Sequence, residues 1–272
     1  MLTIIREIST RRNLIYELVV KDLKVRYHRP VLGSLWAFLS PLCTVGIFYL
    51  VFSVILRVKI KEAPFILYLM SAVFPWRFFQ DSLLASVGSL IDNKNLIRES
   101  NFPHYFIPLS IVLANAVNFL PSLGVLIIAA VVCLKGLPVF IIFLPVILLM
   151  HLILAVGLSL IVSLLYVNWR DTKYILDVLL QILFYLTPAF YSIYLIRDSF
   201  GQLWFNIYSL NPFVGILNLY RLTILKGYYP VIKAVGPASI FFIPLVFAVA
   251  VLLVSFYFYK RNKNTINDYL SY

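Results

Sequence analysis

The chain has 272 residues, 62% of them hydrophobic and 12% charged, with a mean hydropathy of +0.95. That balance excludes a soluble globular domain and leaves little chain for a separate catalytic one. The net charge of +12 does not indicate nucleic acid as a partner, because the cations fall at the ends of apolar runs instead of massing on one soluble face.

Residues 1–30 carry seven Lys and Arg and no unbroken apolar core, so no secretion signal is expected there. Glu17, Lys21 and Lys24 share one helix face, with Leu14, Leu18 and Val25 on the adjoining one. This spacing predicts an amphipathic helix lying in the headgroup layer of a membrane, against its lipids. After Arg29 no charge appears until Arg57, long enough for a helix to cross the hydrocarbon. Trp36 stands at the boundary, where an indole keeps its N–H wet and its ring in the acyl region.

Six crossings are expected, at about 36–56, 64–91, 107–133, 139–167, 174–195 and 234–259. In the second, Arg77 and Asp81 stand at i,i+4, a spacing that lets two charges meet on one face. They read as an intramembrane ion pair, with direct substrate contact as the alternative. Cys43 and Cys133 lie inside apolar runs and are expected as small core residues; they form no disulfide framework or metal spacing. His151 has no second ligand at i±3 or i±4, so it reads as a hydrogen-bonded helix contact and not a metal site. Asn115 and Asn118 read the same way.

The most polar internal stretch is 92–106. A short helix there offers Leu96 and Ile97 as apolar knobs flanked by Lys94, Arg98 and Glu99, before Phe102-Pro103 turns the chain back. This predicts a docking element for a partner protein. In the fifth crossing Phe184, Thr187, Tyr191 and Tyr194 are expected on one face. Of these, Phe184, Tyr191 and Tyr194, among 4 Trp, 18 Tyr and 22 Phe in the chain, are the best candidates for an aromatic channel lining. Residues 199–232 hold an apolar run broken by Asn211-Pro212 into halves too short to cross, and read as a re-entrant hairpin of two half-helices.

Lys and Arg number seven in 1–30, two in 92–105, two in 168–173 and three in 260–263, against three in 57–61 and one at 135. The asymmetry places both termini in the cytoplasm. There is no Gly-x-x-x-x-Gly-Lys-Ser/Thr, no His-Glu-x-x-His and no Gly-x-Ser-x-Gly, so the chain carries no ATPase motif, catalytic residue or metal site of those kinds. Asp81 and Asp177 are the main acids within crossings, a thin basis for a proton relay.

Four stretches resemble the membrane subunits of ABC type-2 polysaccharide exporters, the O-antigen and teichoic-acid export family. They are Arg26-Tyr27 followed by Leu32-Gly33-Ser34-Leu35-Trp36 and Pro41-Leu42; Phe74-Pro75-Trp76; Asn168-Trp169-Arg170-Asp171 with Thr187-Pro188; and Asn211-Pro212. One departure is His28-Arg29-Pro30, where the family commonly has small polar residues. The resemblance implies an all-α membrane protein of six transmembrane helices with an N-terminal amphipathic interface helix over 1–30 and a re-entrant hairpin before the last helix. It implies a homodimer working with a separate ATPase subunit that binds the ATP and Mg, so that this chain holds no cofactor of its own. Residues 92–103 match the family's coupling helix, and Asn211, Pro212 and Phe213 its outer gate. The implied substrate is a glycan on a polyprenyl diphosphate, moved across a bacterial inner or plasma membrane. Arg26 and Arg29 are the candidates for its pyrophosphate, since guanidinium forks match phosphate oxygens. The competing readings are an ABC type-2 exporter of a small drug or lipid, a membrane-embedded transferase on polyprenyl-linked sugars, and a structural scaffold.

Overall fold

The computed structural model describes residues 2–27, 35–58, 60–99 and 103–262, the side chains of 2–5, 37–38 and 98–99 excepted. Among them there is no strand: the chain is all helix and connecting turn. Among the described residues three helices are long and apolar enough to cross a membrane: α7 (Phe106–Leu134), α8 (Leu144–Asn168, continued backwards by a 3-10 turn, Val139–Phe143) and α14 (Pro237–Arg261).

The N-terminal segment is two helices, α1 (Leu2–Thr10) and α2 (Arg12–Tyr27), instead of the single expected one. Thr10 donates its hydroxyl to the Arg6 carbonyl at 2.8 Å, a back-bond that bends helices. The face that α2 buries carries Ile15 and Leu18, whereas Val25 is 71% exposed. The stripe Ile15–Leu18–Asp22–Arg26 turns towards α7, because residues three and four apart share a face.

α3 (Trp36–Phe48) runs on into a π-helical stretch, Tyr49–Ile55. α4 (Phe65–Val87) is the hub, buried along most of its length and packed on α3, α7, α8 and a later helix, α12 (Pro212–Ile224). Two short helices follow, α5 (Ser89–Asp92) and α6 (Lys94–Glu99).

The fifth expected crossing is not one helix. α9 (Thr172–Tyr185) ends before Pro188, residues 186–193 are irregular, and α10 (Tyr194–Phe200) restarts the chain. Proline lacks the N–H that a continuing helix needs and steers the residue before it out of helical conformation. Then come α11 (Gln202–Ser209), α12 (Pro212–Ile224) and α13 (Tyr229–Val235). Asn211 caps α12, its Oδ1 accepting the Phe213 N–H at 2.9 Å, and Pro212 fills the first turn, where its missing N–H costs nothing.

Close approaches hold the long helices together. A Cβ on Gly157 of α8 would lie 3.0 Å from the Leu252 backbone nitrogen of α14, and one on Gly215 of α12 only 2.4 Å from Cγ of Pro244. Small residues at such crossings let membrane helices approach. An aromatic seam crosses the interior: Phe52 stacks on Phe190 at 4.7 Å, Phe48 on Phe184 at 5.8 Å, and Phe184 meets Trp76 at 5.6 Å. It continues through Phe213 and Phe79, 4.9 Å apart, to His151 and Tyr220. Both cysteines, expected in the core, are instead exposed on the chain. A thiol is apolar enough to face acyl chains without cost.

Candidate functional site

At one end of the bundle the N-terminal helices grip the segment after α4. Lys21 Nζ donates to Asn93 Oδ1 at 2.9 Å, and the Tyr105 hydroxyl to Glu7 Oε2 at 2.7 Å. Burial pushes the Tyr105 phenol up, and the Glu7 carboxylate adds to the rise. The Tyr105 ring packs edge-on against Phe256 and Tyr259 of α14, and Tyr259 bonds Ser163 of α8 at 2.9 Å. The α5–α6 segment is thus tied to α2 at Asn93, while Tyr105, just before α7, joins α1 to α14.

On α6 the expected knobs separate. Leu96 is half-buried and Lys94 exposed, but Ile97 is 7% exposed and belongs to the chain's own core. Adjacent helical residues point about 100° apart, so with Ile97 laid on the bundle Leu96 falls at the edge of that face. Phe102 and Arg29 lie outside the described residues, as do the side chains of Arg98 and Glu99.

Arg26 is committed: it donates to Asn115 Oδ1 of α7 and to Asp22 at 3.3 Å. Burial raises the Asp22 carboxyl, while Arg26 beside it pulls it down. Arg77 and Asp81 do not form the expected ion pair. Arg77 Nη2 donates instead to Thr44 Oγ1 of α3 at 3.0 Å, and Asp81 is exposed. Thr44 lies across the α3–α4 contact at the level of Arg77, and the guanidinium turns to it and away from the exposed Asp81.

The break after α9 is tied down at every turn. Tyr68 donates to the Tyr191 carbonyl at 2.9 Å; Tyr191 bonds the Tyr185 carbonyl at 3.1 Å and the Tyr208 hydroxyl at 2.8 Å; Ser192 bonds Glu62. Beneath it lies Arg221, fully buried, donating to the carbonyls of Pro188 and Ala189 with its guanidinium 3.5 Å above the Tyr68 ring. Irregular backbone inside an apolar bundle persists only when its polar groups are satisfied in this way. The expected common face of Phe184, Tyr191 and Tyr194 therefore disappears. Phe184 joins the aromatic seam, Tyr191 brackets the break, and Tyr194 opens α10 under Arg197 at 4.7 Å. Sequence reading missed Arg221; the signal was a single cation inside the otherwise apolar 212–224 run.

Asn211 and Pro212 start α12, and Phe213 is buried against Trp76 and Phe79. Past the far end of α12, Lys226 reaches the Leu134 and Lys135 carbonyls at the end of α7, both at 3.2 Å. Among the described residues no group of His, Cys, Asp and Glu has the makings of a metal site. His151 Nδ1 lies 3.2 Å from the Tyr220 hydroxyl, packed between Phe78 and Phe79.

Comparison with known proteins bears on this arrangement. The O-antigen export system permease protein RfbA of Myxococcus xanthus is 29% identical over 221 residues, covering 81% of this chain and 84% of its own. The protein of the same name from Klebsiella pneumoniae is 32% identical over 210 residues, covering 76% and 78%. Residues 13–225, from α2 to the end of α12, match the ABC-2 type transporter family. That span takes in the gripped α5–α6 segment, the broken α9 and the Arg221 site alike, and the chain belongs to the ABC-2 type transporter family.

Proposed function

We propose that this chain is the membrane-spanning subunit of an ATP-driven exporter that moves a polyprenyl-diphosphate-linked polysaccharide of the O-antigen kind from the cytoplasmic to the outer leaflet. The observation that carries the reading is the family match over 13–225, joined to relatives that are O-antigen export permeases aligned along most of their length. An all-helical bundle with three long apolar helices among its described residues suits a membrane conduit driven by another protein.

The finer proposal is a homodimer with six crossings per chain and both termini in the cytoplasm. Its support is the gathering of α1, α2, α6 and the end of α14 at one end of the bundle, where the Lys and Arg surplus also lies. A separate ATPase subunit would bind the ATP and Mg and dock on α6 around Lys94 and Leu96, and its closure would travel through Lys21–Asn93 and Glu7–Tyr105. α11 and α12 form the re-entrant hairpin. Phe213 at the start of α12 meets Phe79, well inside α4, while Lys226 beyond its end reaches the end of α7. Deleting the gene should abolish surface glycan and leave lipid-linked glycan accumulating inside. Purification in mild detergent should bring an ATPase subunit with the chain; its absence overturns the proposal.

A further inference from the structure

Asp81 is exposed at a depth where exposure is costly. Three residues before it, the Phe78 ring stacks at 5.3 Å on Phe119, in the middle of the 29-residue apolar span Phe106–Leu134. A carboxylate there does not face acyl chains; it faces water or another polar surface. Asp81 has no ion-pair partner or hydrogen bond among the described residues, although the charges of Arg77 and Arg26 act on it through space. Arg77 is oriented by Thr44, Arg26 by Asn115 and Asp22.

α7 supplies a second, independent observation. Asn115 is 3% exposed, and its Nδ2 has no partner, its Oδ1 being taken by Arg26; one turn on, the Nδ2 of Asn118 is also buried and unpaired. Buried amides without an acceptor are costly unless something else supplies one.

Charge decides the class of ligand. Asp22 and Asp81 balance Arg26 and Arg77, so the region is neutral overall and mixes donors with a carboxylate acceptor. A diphosphate would be repelled by Asp81, whereas sugar hydroxyls donate to the carboxylate and accept from the amides and guanidinium groups. We infer that Arg26, Arg77, Asp81, Asn115 and Asn118 form a hydrophilic slot that holds the hydroxyl groups of a sugar residue of the transported glycan, within the membrane on the α2 side of its middle. This rests on the reading of the chain as a glycan exporter subunit.

The test uses the chain assembled with its ATPase in cells, with Cys43 and Cys133 replaced by serine. A cysteine at Ala85, exposed one turn from Asp81 on the same face, should react with methanethiosulfonate ethylsulfonate, and more slowly when glycan synthesis runs than when its first sugar transfer is blocked. Asp81→Asn, which keeps an acceptor of the same size, should retain most export. Asp81→Ala should slow export about ten-fold, as for one lost hydrogen bond to a charged group, with ATPase co-purification unchanged. Resistance of position 85 to the reagent, labelling indifferent to glycan, wild-type export by Asp81→Ala, or loss of assembly in both Asp81 variants each overturns the slot. Failure of the unaltered chain to bring down an ATPase or to export glycan would instead remove the wider reading.

Discussion

The guanidinium of Arg221 lies against the carbonyl of Pro188. The proline that ends α9 leaves backbone acceptors inside the bundle, and a cation thirty-three residues later covers them, with the Tyr68 ring beneath it. Arg221→Lys keeps the charge but loses the flat guanidinium that stacks on the Tyr68 ring while its Nη2 reaches both carbonyls. It should lower stability by about 1–3 kcal/mol, the range for a buried acceptor left unsatisfied. The thermal midpoint of the detergent-solubilised protein reads this, and an unchanged midpoint contradicts the bracing role.

Gly215→Ala should destabilise by about 1–3 kcal/mol through overpacking, because its methyl would meet Cγ of Pro244 and the Ile240 carbonyl. Gly124→Ala is the control, since nothing lies within 4 Å of the added carbon. Equal midpoints for the two variants would refute close α12–α14 packing as the reason for glycine at 215.

Leu96→Asp and Ile97→Asp should part company. Leu96 is half-buried on α6, so its change should leave the protein inserted and folded while ATPase co-purification falls. Ile97 sits in the core, and a carboxylate there should cost several kcal/mol and lower the yield of folded protein itself. Normal ATPase recovery with Leu96→Asp would count against docking at α6.

Topology is open to labelling. A cysteine replacing exposed Gln202 at the start of α11 should react with membrane-impermeant reagents on intact spheroplasts. One replacing exposed Lys94 should react only after permeabilisation. The reverse pattern would invert the proposed orientation.

Much of the site was legible as chemistry but not as geometry. The Asn211-Pro212 pair marks a helix start because a side-chain oxygen and a missing N–H suit the first turn wherever it falls. The 92–106 stretch stands out because polar residues between apolar runs have few other places to go. Pro188 was visible too, but periodicity carried the helix through it, since nothing local signals that Arg221, Tyr68 and Glu62 would support an open break. The Arg77–Asp81 spacing was equally persuasive and equally local. Thr44, thirty-three residues away in sequence, took the guanidinium instead.

Amino-acid order alone determined that this is a helical membrane protein, where its apolar runs lie and which segments between them carry the cations. These follow from hydropathy and charge, which act residue by residue against the solvent. Tertiary structure alone decided that Ile97 turns inward, that α9 stops short, and that Asp81 stands exposed beside two bound arginines. Each of those depends on which distant side chain reaches a group first, and in a bundle short of polar partners that choice belongs to the packing of helices, not to their spacing along the chain.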